Sequence, residues 1–349
     1  MGSVKDLIIY VNPTEKNYGE GEFVFRNNYS VFDWGIMPDV IPHKGESLCL
    51  MSAYFFEKIE KEGIKTHYNG LIDSRNKVCN IKELDEPTNR MWIKVVRVIK
   101  PSFKNGAYVY SEFNKTLENY LVPVEFIYRN VISEGSSVLR RLKNGKIKLK
   151  EVGLSKIPEK SEKLKMPFLD ASTKLEEQDK YISWREAKKI SGLTNKEITK
   201  IRSLTLKIND IISKELFKKD IVNEDGKLEY GVGPGREIIL VDTVGTLDEN
   251  RFTYRNKRIS KEIIRQFYRK TCWHKDITIA KLLAMKLNFI EWKMLCFSKP
   301  KKLPYELKEI LSNMYTSAAN KIIGKKIFDS PKLEDVLKSQ EDFLERLVL

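Results

Sequence analysis

Two carboxylates and a lysine on a tight hairpin are the side chains of this sequence with the clearest chemical potential. The segment DGKLEYGVGPGREIILVDT (225–243) sets two strand-like runs on either side of Gly233-Pro234-Gly235-Arg236, a strong reversal signal. A hairpin closed symmetrically about residues 235 and 236 pairs positions whose numbers sum to 471, which sets Glu229 opposite Asp242. Directly opposed side chains in an antiparallel pair have Cβ atoms ~4.5–5.5 Å apart. Two like charges so placed repel unless a divalent cation lies between them. Lys227 is two residues from Glu229 and therefore on the same face. Two carboxylates with a lysine beside them suit Mg²⁺ and the phosphates of a nucleotide. On spacing alone, an exposed charged hairpin in a slipped register is the other reading.

The next segment, DTVGTLDENRF (242–252), places Asp248 and Arg251 on a turn. Arg265 follows on a helix expected to be capped by Ser260, with Arg258, Lys261 and Arg269 near it. An arginine fork pairs bidentately with carboxylate or phosphate, although a lone helix arginine can equally be a solvated surface group. Charge is concentrated here. The chain has 349 residues and a formal charge of +15. Residues 140–166 carry ten basic and three acidic side chains, and residues 251–275 carry nine and one. Those two windows hold the whole excess, so the chain lacks an evenly basic coat. Either a nucleic-acid face or a pocket for small polyanions fits such patches.

The elements that must position these residues read as an α+β fold. LIIYV (7–11) and EFVFR (22–26) are strand-like. A helix over Ser47–Glu62 buries Leu48, Met51, Tyr54, Phe55, Phe56 and Ile59 and stops at Gly63. Strand-like MWIKVVRVI (91–99), GAYVYSEF (106–113) and LVPVEFIYRNVI (121–132) follow, and 143–166 reads as a Lys-rich loop or loosely held hairpin. Ser183…Glu186 and Thr194…Glu197 are capping boxes. The second opens a long helix with Ile198, Ile201, Ile208, Ile212 and Leu216 as its buried stripe. The tail from about 276 is helical and amphipathic.

Composition removes several classes. Hydrophobic residues make up 41% and charged residues 32%, as in a globular protein rather than a disordered chain. The four cysteines (Cys49, Cys79, Cys272, Cys296) form no CxxC, so neither a zinc ribbon nor a disulfide scaffold is expected, and a reducing compartment is. With three histidines, none near a cysteine, a catalytic metal would be held by oxygen. The N-terminal apolar stretch is too short for a signal peptide. Ile277–Phe297 is interrupted by Lys281, Lys286, Glu291 and Lys293, so no membrane span is expected.

Several segments, in order, resemble the SAICAR synthetase family of purine biosynthesis. VFDWGIMPDVIPHKGESLCLMSAYFFEKIEKEGIKTHY (31–68) is similar to that family's SAFD-type Asp, IPxKG turn, S-x-FWFE helix and GI-x-TH ending. VPVEFIYRNVISEGSSVLRRL (122–142) resembles its VPVE-x-VVR segment and following G-S; STKLEEQD (172–179) resembles its STKAEEHD. KLEYG followed by VDTVGTLDENRF resembles KLEFG followed by DE-x-TPD-x-SR. The departures are specific. Gln178 replaces the histidine, Asp242-Thr243 the DE pair and TLD the TPD turn, with one extra residue after Asp242. NPTEKNYG (12–19), with Lys16 its only cation, stands where a G-K-x-K phosphate loop is expected, and 98–120 looks like an insertion.

The resemblance implies a two-lobed, kinase-like α+β fold: an N-terminal β-rich lobe over ATP (1–121), an α+β lobe with the metal and ribotide sites (122–275) and a helical extension packed on it (276–349). It implies a cytoplasmic, ATP-dependent ligase joining L-aspartate to aminoimidazole carboxylate ribotide, with Mg²⁺ and no nucleic-acid or membrane partner; a homo-oligomer is left open. Carried over, Glu229 and Asp242 hold the metal, while Lys16, Lys227 and Glu229 contact ATP. Lys44, Arg129, Ser136, Arg140, Lys174, Asp179, Asp248, Arg251 and Arg265 serve the ribotide and aspartate. Lys227, Asp179 and Arg251 stand closest to the chemistry, and no covalent nucleophile is implied. His43 and His67 read as turn and packing residues. A kinase of inositol-polyphosphate type, a basic nucleic-acid module and an inactive relative acting through protein contacts are the other readings.

Overall fold

Polar and apolar residues alternate along Val124-Glu-Phe-Ile-Tyr-Arg129 and along Asp225-Gly-Lys-Leu-Glu-Tyr230, so each strand offers one charged and one apolar face. The computed structural model of the chain describes residues 4–104, 106–133, 136–159, 161–177, 179–287, 289 and 291–346. The N-terminal sheet runs β1-β2-β5-β3-β4, from β1 (Lys5–Val11), β2 (Gly19–Phe25), β3 (Tyr68–Ile72), β4 (Val78–Cys79) and β5 (Arg90–Val95). Its inner face packs on α1 (Lys44–Lys61), which buries Leu48 through Phe56 and Ile59 and ends before Gly63 at φ 74°.

A small hairpin, β6 (Ser102–Lys104) with β7 (Ala107–Val109), fills the expected insertion; GAYVYSEF is a strand only over its first half. The larger sheet then forms from β8 (Tyr120–Ile132), β9 (Glu162–Thr173), β10 (Ile221–Val232), β11 (Ile238–Val241), β12 (Asn250–Tyr254) and β13 (Lys257–Ile259). Its order is β13-β12-β10-β8-β9, and β11 also pairs with β10. Between β8 and β9 lie α2 (Ser137–Lys143) and α3 (Leu149–Val152), so the Lys-rich segment is partly helical. Helices α4 (Trp184–Ser191) and α5 (Asn195–Phe217) cover the apolar face of this sheet, and both expected capping boxes close at their N-termini. Phe126, Tyr128, Leu228 and Tyr230 are buried beneath them. The chain ends in α6 (Glu262–Arg269), α7 (Cys272–Leu287), α8 (Tyr305–Ile323) and α9 (Leu333–Arg346), with α8 packed on α1.

Two local expectations are corrected. The hairpin register is shifted by one residue: Glu229 pairs with Val241 and Val232 with Ile238. The turn is a five-residue loop in which Gly233 N–H donates to the Glu237 carbonyl at 2.7 Å, with Gly235 and Arg236 both left-handed. At the start of α6 the cap position is Lys261, and Ser260 Oγ reaches only the Glu262 amide at 3.4 Å.

The loop after β11 depends on one glycine. Gly245 sits at φ 68°, and a Cβ there would lie 2.0 Å from the Phe55 ring carbon. Gly245→Ala therefore combines left-handed strain with overpacking against α1. Thermal or urea unfolding is expected to show a loss of roughly 2–4 kcal/mol, whereas an unchanged midpoint would mean that the loop does not depend on this contact.

Candidate active site

The charged face of the larger sheet is built from cross-strand neighbours. On β8 and β10, Glu125 pairs with Glu229, Ile127 with Lys227 and Arg129 with Asp225. Ser172 on β9 pairs with Glu125, and Arg251 on β12 pairs with Asp225. The directly opposed carboxylates are thus Glu125 and Glu229. Two like charges so placed are unfavourable alone, and lysines from the same face neutralise them. Lys227 Nζ lies 2.8 Å from Glu125, 3.2 Å from Glu249 and 3.9 Å from Glu229, while Lys174 Nζ lies 2.6 Å from Glu229 and 3.8 Å from Glu125. Burial alone would lower both ammonium groups, but the surrounding carboxylates hold both above the ordinary lysine value.

Asp242 joins this group by a backbone device. A strand continued past Val241 would turn its next side chain to the opposite face. Asp242 is instead left-handed at φ 69°, and its carboxylate interacts electrostatically with Glu229. Lys5, the first residue of β1, holds it at 2.6 Å. Burial opposes ionisation of Asp242, yet Lys5 and Lys174 keep its carboxyl below the usual range. Burial, then the Asp242 charge, pushes the Glu229 carboxyl above its usual range. His67 Nε2 lies 3.0 Å from the Asp242 carbonyl. Burial lowers this imidazole to about 4, so it is neutral and donates from Nε2. His67 is therefore a brace for the site as well as a packing residue.

Beyond Lys227 the same face opens into a cavity of about 350 Å³ lined by Arg129, Asp179, Asp225, Asp248, Arg251 and Arg265, among others. Asp225 lies between two arginines, 3.3 Å from Arg129 and bonded to Arg251. Arg129 also reaches Asp170 at 3.6 Å and Tyr181 Oη at 3.3 Å. Burial, then the Glu125 charge, raises Asp179 to about 6. The loop from β11 is fastened to α1 by the Val244 amide donating to Ser52 Oγ at 3.1 Å. It delivers Asp248, whose carboxylate meets Lys44 Nζ at 2.8 Å and Tyr315 Oη at 2.7 Å. Burial pulls the Lys44 ammonium down and Asp248 pulls it up, while Lys44 and Lys261 hold Asp248 below the usual carboxylate range against burial.

The expected residues thus divide. Glu229, Asp242, Lys227 and Lys174 form one cluster; Arg129, Asp179, Asp248, Arg251 and Arg265 line the adjoining cavity. Lys44 is wholly buried and acts through Asp248 rather than facing the cavity. Ser136 Oγ accepts from the Leu139 amide as the cap of α2, and Arg140 is exposed. Its neighbour Arg141 is the one that turns inward, bonding Asp170 and stacking 4.0 Å from the Tyr181 ring. Lys16 is 70% exposed and pairs with Glu118 at 3.4 Å, outside the set that lines the cavity. Gln178 lies outside the described residues.

Glu125, Lys5, Asp225 and Arg141 are among the residues that sequence reading missed. For Glu125 the signal was present, since polar and apolar residues alternate through VPVEFIYR. For Lys5 it was the spacing: Gly2-Ser3-Val4-Lys5 keeps the first and last residues of a G-K-x-K pattern.

No group of three or more His, Cys, Asp and Glu side chains in a metal-holding arrangement is found among the described residues. The buried Glu229 and the partly buried Asp242 supply oxygen donors whose mutual repulsion a cation would relieve. Mg²⁺ usually takes one or two protein carboxylates and completes its shell with phosphate oxygens and water. The pair fits an ion that arrives with a nucleotide.

Residues 2–281 match the model of the SAICAR synthetase family. The chain is 45% identical over 345 residues to an Archaeoglobus fulgidus protein provisionally named for phosphoribosylaminoimidazole-succinocarboxamide synthase activity, covering 99% of this chain and 100% of that one. It is 32% identical over 335 residues to the Thermoplasma acidophilum phosphoribosylaminoimidazole-succinocarboxamide synthase, covering 93% and 98%. Among solved structures, the Saccharomyces cerevisiae SAICAR synthase complexed with SAICAR has a TM-score of 0.59 at 20% identity, covering 92% of this chain and 96% of that one. A SAICAR synthetase in complex with ADP has a TM-score of 0.55 at 21% identity, covering 86% and 99%. At that identity the likeness establishes the fold.

Asp179 gives this site a pH signature. Its folded-state value of about 6 lies above the ordinary 3.8, so its contribution to stability is full below 3.8 and is lost as pH rises through about 6. Asp179→Asn should gain stability relative to the parent across that window and hold the gain above it. Unfolding midpoints for both proteins across this range check the point; a difference that does not vary with pH would contradict it.

Proposed function

Because the chain belongs to the SAICAR synthetase family, it is an ATP-dependent ligase that joins L-aspartate to 5-amino-1-(5-phosphoribosyl)imidazole-4-carboxylate, and we propose how its residues divide that work. The observation that carries the assignment is the continuous polar face of the larger sheet, where a lysine-neutralised carboxylate cluster adjoins an arginine-lined cavity. ATP phosphates belong at the cluster. Lys227 and Lys5 are placed to neutralise them, with Glu229 and Asp242 as the two protein ligands for Mg²⁺. When bound, Mg²⁺ neutralises charge on the transferring phosphoryl group. Lys174 acts through Glu229, to which it is bonded.

The ribotide and aspartate belong in the cavity. Arg129, Arg251 and Arg265 offer forks for phosphate and carboxylate groups. Asp225, between two of these arginines, fixes their directions. In the reaction a carboxylate oxygen of the ribotide attacks the γ-phosphorus and ADP leaves, giving an acyl phosphate. The aspartate nitrogen then attacks the acyl carbon, phosphate departs and an amide forms. The amine must lose a proton, and Asp179, raised to about 6, is matched to accept it near neutral pH. Positioning and charge neutralisation supply the rest.

On this reading residues 1–121 form the ATP-covering lobe, 122–275 the lobe with the metal and ribotide sites, and 276–349 an extension. We place the protein in the cytoplasm; among the described residues no helix is long and apolar enough to cross a membrane. Part of the basic window 251–275 turns inward, because Arg251, Lys261 and Arg265 line the cavity. That supports small polyanions over duplex nucleic acid.

Steady-state ADP formation from ATP should require both ribotide and aspartate, with no more than about one equivalent per site formed when aspartate is omitted; sustained turnover without aspartate would favour a kinase. Arg251→Lys keeps the charge and loses the fork, so ribotide KM should rise by about tenfold with ATP KM little changed. Equal rises for both substrates would refute the assignment of Arg251. For ATP, Lys5→Ala should raise KM by about tenfold or more while Lys16→Ala has little effect, and the reverse order would return the phosphate role to the 12–19 loop.

A further inference from the structure

The family match ends at residue 281, yet a side chain beyond it bonds a carboxylate that lines the cavity. Tyr315, on α8, is fully buried and donates from Oη to Asp248 Oδ1 at 2.7 Å. Lys44 holds the other oxygen, Oδ2, at 2.8 Å, and its Nζ stands 5.5 Å from the centre of the Tyr315 ring. The terminal torsion of an aspartate is broad and weakly preferred. One contact would leave the carboxylate free to swing about it, whereas separate partners on its two oxygens fix its plane. Helix α1, the loop before β12 and α8 thus meet at a single carboxylate that lines the cavity.

We propose that Tyr315 is a positioning residue for the ligase reaction: α8 sets the orientation of Asp248 at the end of the cavity that takes the ribotide and aspartate. The proposal rests on that reading of the cavity. It gives the C-terminal extension a role in substrate binding, in addition to packing on α1. Tyr315 would not touch substrate, and its effect would pass entirely through Asp248.

Tyr315→Phe keeps the ring in place and removes only the donor. Steady-state kinetics should show KM for ribotide or aspartate raised about tenfold, with ATP KM unchanged. Leu307→Ala, a buried change in the first turns of α8, should lower the melting temperature and leave every KM alone. The double variant Tyr315→Phe/Asp248→Asn should be no worse than Asp248→Asn, because both act through one group. If Asp248→Asn itself leaves ribotide and aspartate KM unchanged, the reading of the cavity falls and the proposal with it. If Asp248→Asn raises them and Tyr315→Phe does not, the positioning role alone is overturned. The same holds if Tyr315→Phe behaves as Leu307→Ala does.

Discussion

The carboxylate of Glu229 stands between two others: it is buried opposite the buried Glu125 on β8, and it interacts electrostatically with the partly buried Asp242. Leaving buried charges unpaired costs several kcal/mol each, so the fold must bring cations to them. It does so from three directions: Lys227 from the same strand as Glu229, Lys174 from just past β9, and Lys5 from the first strand of the other sheet. The alignment of β8, β9 and β10, and the approach of the N-terminal sheet, all serve that one balance. Such a cluster is poor stabilising material and good binding material. On the proposed reading it holds oxygen donors for a cation that would arrive with its own phosphates.

The second half of the site is organised by a different balance. Arg129, Asp225 and Arg251 form a row across three strands in which one acid orients two forks. Asp248 is oriented from below by groups on α1 and α8. The cavity therefore adjoins the lysine-balanced carboxylate cluster at one end, and beyond it Arg129, Arg251 and Arg265 alternate with Asp179, Asp225 and Asp248. On the proposed division of the site, substrates that carry phosphate at one point and carboxylates at another would be oriented by these arginines, with the reacting groups near Lys227 and Asp179.

Much of this was legible in the residues. Alternation in 225–230 announced a strand with a charged face, the two capping boxes located α4 and α5, and the spacing of Lys227 and Glu229 placed them together. The errors have physical causes. A symmetric turn was assumed, but the Gly233–Glu237 hydrogen bond makes an odd-length loop, so Glu229 faces Val241. Asp242 still reaches Glu229 only because its backbone is left-handed, which sequence does not declare. Glu125 escaped because its partner lies about a hundred residues away on another strand. Arg140 and Arg141 were indistinguishable until the phase of α2 was known.

On the proposed reading Glu229 and Asp242 together confer dependence on a divalent cation, while the lysines around them maintain the fold without it. Calorimetric titration of ADP with and without Mg²⁺, on the parent protein and on Glu229→Gln and Asp242→Asn, tests this most directly. The parent should bind ADP at least about tenfold more tightly with Mg²⁺, and in both folded variants that ratio should fall toward one. An undiminished Mg²⁺ dependence in both variants would place the cation elsewhere and contradict the account.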